Sequence, residues 1–285
     1  MKKSFFKSIL LSALAFVGCH HNAPADTADV DTTYTDINQF CPENYDHLYA
    51  FQDQPQFMPV ELFEGTNDSL LHQLLPDGRA EASINVFLLC GQGRNILFDA
   101  GMGAGNGGRL MRCLDSVGVS PEAVTDICIT HLHFDHVGGL LNADMTPAFP
   151  NAVIHVSDVE YEAWTTGCFH NEPGLVPVIG LAYEGRIVQH NLAVDSTFLP
   201  GIVAKLLPGH TPGHTCYALG QKVIIAGDVL HALTLQLEHP EFCARFDFDK
   251  ALAIQSRTEL ISHTSGTPLA IAGMHFPAPH FFVVQ

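Results

Sequence analysis

The chain has 285 residues, 47% of them hydrophobic, with 24 glycines and 17 prolines. That suits one large core and excludes collagen-like and globally disordered chains. Lys and Arg number 13 against 30 Asp and Glu, a formal charge of −17, and a surface that acidic argues against nucleic acid as a partner.

The chain opens MKKSFFKSILLSALAFVGC, three lysines and then an apolar run from Ile9 to Gly18. The run is shorter than the ~20 residues a membrane span needs, and reads as an export signal. Residues 1–18 resemble a bacterial lipoprotein signal, with Cys19 the lipidated first residue of the mature chain. Phe16 departs from the aliphatic residue usual three before that cysteine. The expectation is export to the periplasm or cell envelope, with a lipid anchor as the sole membrane contact. Removing Lys2, Lys3 and Lys7 leaves 10 basic against 30 acidic residues. Residues 19–45 are polar and acidic and suit a flexible tether. The folded domain is expected over 46–285. Of eight cysteines, seven remain once Cys19 is set aside, so at least one lacks an intramolecular partner.

Short runs rich in β-branched and aromatic residues, bounded by Gly, Pro, Asn or Asp, predict strands over 83–91, 94–101, 126–131 and 152–157. A second set follows over 202–207, 214–220, 222–228 and 268–275. Helical spacing falls over 108–118, 157–164 and 248–262, and Ser120-Pro121-Glu122 reads as a helix start. Two similar halves of mixed strands and helices indicate a layered α/β domain. The stretch GMGAGNGG (101–108) lacks the Gly-Lys-Ser/Thr ending of a P-loop and reads as a mobile loop.

The densest signal is THLHFDHVGG (130–139). His131 and His133, two apart in extended chain, project to one side and converge. Asp135 and His136 follow a turn at Phe134 and can face a second point nearby. Three histidines and an aspartate within six residues suit metal ligation, and the lack of cysteine within 130–139 suits a catalytic rather than a closed structural site. Further ligands are sought at strand ends: His210 and His214 in PGHTPGHT, Asp228 in AGDVLH and His275 in AGMHFP. A histidine or aspartate that ends an apolar strand is costly to bury unless it is paired or bound.

These motifs, His131-x-His133-x-Asp135-His136, Gly209-His210-Thr211-Pro212-Gly213-His214, Gly227-Asp228 and His275, resemble the metallo-β-lactamase-fold hydrolases. The resemblance runs over roughly 83–277. It implies an α/β fold, a four-layer αβ/βα sandwich, with two divalent metal ions in a cleft at the strand ends, zinc favoured and manganese or iron possible. His131, His133 and His210 would hold the first ion. Asp135, His136 and His275 would hold the second, and Asp228 would bridge them. Asp99 and His214 would support the ligands from behind. His280 is a weaker rival to His275.

The segment 227–257 is most similar to the methyl parathion hydrolase and lactonase-like subgroup, through His231, Gln236, Pro240, Phe246-Asp247, Asp249 and Arg257. His231 stands where many acyl-homoserine lactonases carry a tyrosine, and is taken as a supporting residue. The implied reaction is hydrolysis of a small-molecule lactone, ester or phosphotriester, with Asp228 holding the metals and Asp135 able to accept a proton. Other readings are a mononuclear iron persulfide dioxygenase, a β-lactamase or thioester hydrolase of the same fold, and a non-catalytic binding protein. His155 reads as a packed strand residue, Tyr161 and Trp164 as core or cleft wall. Oligomeric state is not written in these patterns.

Overall fold

The computed structural model describes residues 34–65, 68–194 and 196–285. The leader, Cys19 and tether residues 19–33 lie outside them. In chain order the first half runs β1 (Tyr34–Asp36), β2 (His47–Pro59), β3 (Phe63–Glu64), α1 (Asp68–Leu74), β4 (Arg79–Gly91), β5 (Arg94–Phe98), α2 (Leu110–Ser116), β6 (Asp126–Cys128), α3 (Phe134–Val137), β7 (Val153–Ser157), α4 (Asp158–Thr165), α5 (Val176–Ala182) and β8 (Ile187–His190). The second half runs β9 (Ile202–Leu206), β10 (Thr215–Leu219), β11 (Val223–Ile225), α6 (Leu233–Glu238), β12 (Cys243–Ala244), α7 (Lys250–Thr264), β13 (Ala270–Ala272) and β14 (Phe281–Val283).

Two main sheets form, ordered β1-β2-β4-β5-β6-β7-β8 and β14-β13-β11-β10-β9, and β12 pairs with β3 in a small third sheet. The period-2 alternation of side chains decides what each face meets. On β4 and β5, Phe87, Leu89, Ile96 and Phe98 point toward Ile202, Ala204, Tyr217, Leu219 and Ile225 of the other sheet. Val86, Leu88 and Leu97 point the opposite way, onto Leu110, Leu114 and Trp164 of the helices. Behind the second sheet, Ile224 and Ile271 pack on Leu260 of α7. The result is helix, sheet, sheet, helix: the four-layer αβ/βα sandwich.

The tether expectation is corrected at its C-terminal end. Tyr34–Asp36 pairs with Tyr49–Phe51, and Ile37 is buried in the inter-sheet core. Burying Ile37 and pairing β1 hold residues 34–45 on the domain, so the fold starts well before residue 46. The stretch 101–108 is corrected too. Asp53 accepts hydrogen bonds from the backbone N–H groups of Met102 (2.9 Å), Arg109 (2.7 Å) and Leu110 (2.8 Å). A fully buried carboxylate thus pins both ends of the loop. The start expected at Ser120 is a single 3-10 turn, Pro121–Ala123, whose Ser120 makes no side-chain cap. Among the described residues no helix is long and apolar enough to cross a membrane, and all seven cysteines are free thiols.

Candidate metal centre

Four strands end toward one point. Beyond β6 the chain delivers His131 and His133, and the single turn of α3 carries Asp135 and His136. Beyond β9 comes His210, beyond β11 Asp228, and beyond β13 His275. All seven residues expected as ligands meet. His131 Nε2 lies 2.9 Å from His133 Nδ1, His133 Nδ1 lies 2.9 Å from His210 Nε2, and His210 Nε2 lies 3.1 Å from His131 Nε2. Asp135 Oδ2 stands 3.7 Å from His136 Nε2 and 3.5 Å from His275 Nε2. Asp228 sits between the two sets. Its Oδ2 is 3.4 Å from His210 Nε2 and 3.1 Å from His275 Nε2, and its Oδ1 is 3.3 Å from His136 Nε2.

The outward nitrogens fix what the inward ones can do. His210 Nδ1 is 2.8 Å from Asp247 Oδ1 and His136 Nδ1 is 2.6 Å from Asp99 Oδ2. His275 Nδ1 is 3.0 Å from the Ser83 carbonyl. Each of these partners is an acceptor, so each Nδ1 donates and each neutral ring turns a lone pair on Nε2 inward. Lone pairs then face one another and face a carboxylate, an arrangement that repels unless a cation lies among them. His136 Nε2 and Asp228 Oδ1 are buried without a hydrogen-bond partner. Three imidazole nitrogens about 3 Å apart also match ligands of a tetrahedral zinc ion, which lie ~3.3 Å apart at the usual bond length. The donor set therefore fits divalent metal.

The electrostatics agree. Burial, with its neighbour His136, drives His131 well below the usual imidazole range. Burial and the adjacent His210 push His133 down to about 3. Both are neutral, as a ligand must be. Burial opposes ionisation of Asp228, yet the imidazoles of His136, His275, His131 and His231 hold its carboxyl well below the usual range. Burial likewise opposes the charged forms of His136 and His275, but Asp228 and Asp135 raise both. The field that favours a proton there favours a metal ion equally.

The supporting residues expected from sequence are in contact with the site. Asp99 accepts from the Thr130 N–H (2.7 Å) and the Thr130 hydroxyl (2.7 Å) as well as from His136. His214 accepts the Asp228 backbone N–H at 2.9 Å, and so steadies the turn that presents Asp228. His231 comes closer than a supporting role required: its Nε2 is 3.1 Å from Asp228 Oδ2. His280 stays outside, bonded to the Phe276 carbonyl. His155 is a packed strand residue held by Asp126 and His190, and Trp164 stands edge-on to His133, with ring centroids 5.5 Å apart. In the sequence Asp247 and Arg257 stand out only as points of likeness to the lactonase-like subgroup. Buried Arg257 lies 3.4 Å from Asp247 Oδ2 and donates to the Val229 carbonyl beside Asp228. Burial opposes ionisation of Asp247, but its hydrogen bond with His210 and the nearby His231 and Arg257 outweigh that and bring it down to about 2.

Residues 80–264 match the metallo-beta-lactamase superfamily. The chain belongs to this superfamily. It is 37% identical over 106 residues to an N-acyl homoserine lactonase from a Bacillus species, a match covering 37% of each chain. The aligned stretch is thus well under two-thirds of that lactonase. Among solved structures, the superfamily hydrolase AbOPH superposes with a TM-score of 0.76 at 27% identity, over 87% of this chain and 92% of its own. AidC, a dizinc quorum-quenching lactonase in complex with a product, superposes with a TM-score of 0.76 at 24% identity over the same shares, a likeness of fold.

Proposed function

We propose that this superfamily member is a dinuclear metal-dependent hydrolase acting on a lactone, or on a related ester or phosphotriester. The observation that carries the proposal is Asp228, whose carboxylate lies against inward imidazole nitrogens of both groups, Oδ2 against His210 and His275 and Oδ1 against His136. His131, His133 and His210 would hold one ion, and Asp135, His136 and His275 the other, with zinc the metal best suited to this donor set. Two divalent ions bound there would supply Lewis acidity and bring a shared water's pKa toward neutrality. Asp228 keeps the two groups of ligands at a fixed spacing. Asp135, with 28% of its side chain exposed, is open to the cleft and can take up a proton at a carboxylate oxygen. His231 Nε2, when protonated, donates to Asp228 Oδ2. Phe246 packs edge-on against His231 and His210 and gives the site an apolar wall on that side.

The lactone preference draws on the named relatives and is the finer part of the proposal. It is tested by elemental analysis of the purified chain together with hydrolysis of a lactone, an aryl ester, a phosphotriester, a thioester and a β-lactam. The expected outcome is about two ions per chain and fastest turnover on the lactone or ester. A single iron per chain would favour a dioxygenase instead, and no bound metal at all would end the proposal.

A further inference from the structure

Glu160 is fully buried on α4, outside both groups of ligands. Its Oε1 accepts from the backbone N–H of Leu132 (3.0 Å) and from the indole N–H of Trp164 (2.8 Å). Its Oε2 accepts from the hydroxyl of Thr211 (2.7 Å) and the backbone N–H of Gly213 (3.0 Å). Leu132 lies between His131 and His133. Thr211 directly follows His210. One carboxylate therefore grips the chain beside all three members of one ligand group, which arrive from two distant loops. A Cβ on Gly213 would collide with the backbone of Glu160, so glycine is what lets the second loop reach the carboxylate. None of the four donors is cationic. A buried carboxylate held only by neutral donors is costly to bury, and its retention calls for a reason beyond packing.

We propose that Glu160 is a positioning residue: it locks the His131–His133 loop to the His210 loop, so that three imidazoles are preset around one metal ion. The proposal rests on the metal reading above and adds which ion depends on it. None of the four groups that hydrogen-bond to Glu160 belongs to the second group, Asp135, His136 and His275, which is expected to stay competent without it. Trp164 is the chain's one tryptophan. It touches both Glu160 and the ring of His133, so its emission reports filling of this site.

The test is zinc titration of the full chain with chelator competition, followed by Trp164 fluorescence. Glu160→Gln keeps the shape but turns an amide N–H₂ toward two donors. One of the two zinc ions is expected to bind about 10–100-fold more weakly, as for other groups that orient metal ligands. The Trp164 response should move to correspondingly higher zinc, while the other ion keeps its wild-type affinity. Thr211→Val removes a single donor and leaves the carboxylate ionised. It should give a smaller loss at the same ion, and it decides the matter if E160Q does not fold. Wild-type zinc affinity at both ions in whichever of these variants folds overturns the proposal, whatever happens to thermal stability, because a purely structural role would lower the melting temperature without touching affinity. Wild-type protein that takes up no zinc overturns the metal reading and the clamp together. Wild-type protein with two ions and unaltered variants overturns the clamp alone.

Discussion

Asp99 adopts a left-handed backbone conformation, φ 60°, which a non-glycine residue enters at a cost of order 1–3 kcal/mol. The surroundings hold it there. Its Oδ1 takes the Thr130 N–H, and its Oδ2 takes both the Thr130 hydroxyl and His136 Nδ1. The Thr130 hydroxyl in turn lies 3.1 Å from His131 Nδ1. One carboxylate thus sets the tautomer of a histidine in each ligand group, directly for His136 and through Thr130 for His131. Asp99→Asn is expected to weaken metal binding about 10–100-fold with the fold intact, measured by chelator competition alongside circular dichroism. A second residue-scale expectation concerns Asp126, far from the metal centre. Burial opposes its ionisation, but hydrogen bonds from His155, Thr125 and Arg94 outweigh that and bring its carboxyl down to about 2. A carboxyl depressed in the folded state contributes stability in full above its unfolded value near 4, and loses it as pH falls toward 2. Asp126→Asn should therefore flatten the acid limb of a urea-midpoint against pH profile between pH 4 and 2, removing about 1–2 kcal/mol. An unchanged acid limb would contradict the assignment. Four of the proposed ligands were legible from their density within 131–136, and His210, Asp228 and His275 because each follows an apolar run. Glu160 was not: it stands three after Ser157, which caps α4 by accepting the Glu160 N–H. That spacing is that of a capping box, in which the glutamate would fold back to its own helix. Only the tertiary fold turns it toward two distant loops.

At the scale of elements, the glycine-rich stretch after β5 shows how composition misleads. Glycine density suggested mobility, but a Cβ on Gly101 or Gly108 would meet Asp53, and one on Gly103 the Gly138 carbonyl. Gly139 donates to the Gly101 carbonyl, and Ala100 donates to the carbonyl of His136. A Cβ on Gly139 would run into the Ala100 carbonyl, and one on Gly138 into Met102. The two loops are therefore stacked backbone on backbone, and the second carries Asp135 and His136. Gly139→Ala is expected to destabilise the protein by at least ~1–3 kcal/mol, since backbone cannot swing aside as a side chain can. A denaturant midpoint equal to wild type would show that the stacking tolerates a methyl group. The strands feeding the site were legible as short runs rich in β-branched and aromatic residues bounded by Gly, Pro, Asn or Asp. β2 was not, although it is 13 residues long. Its sequence, HLYAFQDQPQFMP, mixes polar residues and proline with apolar ones, and its register shifts between Gln52 and Gln54, at Asp53. The bulge places Asp53 inward, where it pins the glycine-rich loop. The two-residue strands β3 and β12 carry too few residues for any period to show.

At the scale of the whole molecule, the apolar run from Ile9 to Gly18 bears on where this chemistry would act. We propose export and anchoring through Cys19, which predicts incorporation of labelled palmitate into the wild-type chain and none into Cys19→Ser; labelling of both would assign the lipid elsewhere. The fold joins two sheets whose strand ends contribute ligands from both halves: His131, His133, Asp135 and His136 from the first, His210, Asp228 and His275 from the second. Metal bound at that seam ties the halves together in the folded state alone, because the unfolded chain cannot gather ligands spread from 131 to 275. A ligand that binds only the folded form at about 100 times its dissociation constant stabilises it by about 2.7 kcal/mol. For a domain of this size each kcal/mol moves the melting temperature by about 2–4 °C. Treating the zinc-loaded protein with EDTA should therefore lower its melting temperature by roughly 5–10 °C, and re-addition of zinc should restore it. The effect should depend on pH in a definite direction. Inward imidazoles must be unprotonated to bind, so the increment shrinks as pH falls through the range where His136 and His275, raised by Asp228 and Asp135, hold their protons. Asp228→Ala removes the group that joins the two sets, and should abolish most of the zinc-dependent increment together with hydrolysis. Scanning calorimetry of wild type and D228A, with and without zinc, reads both. An increment of equal size in the two proteins would mean that Asp228 does not hold the ions.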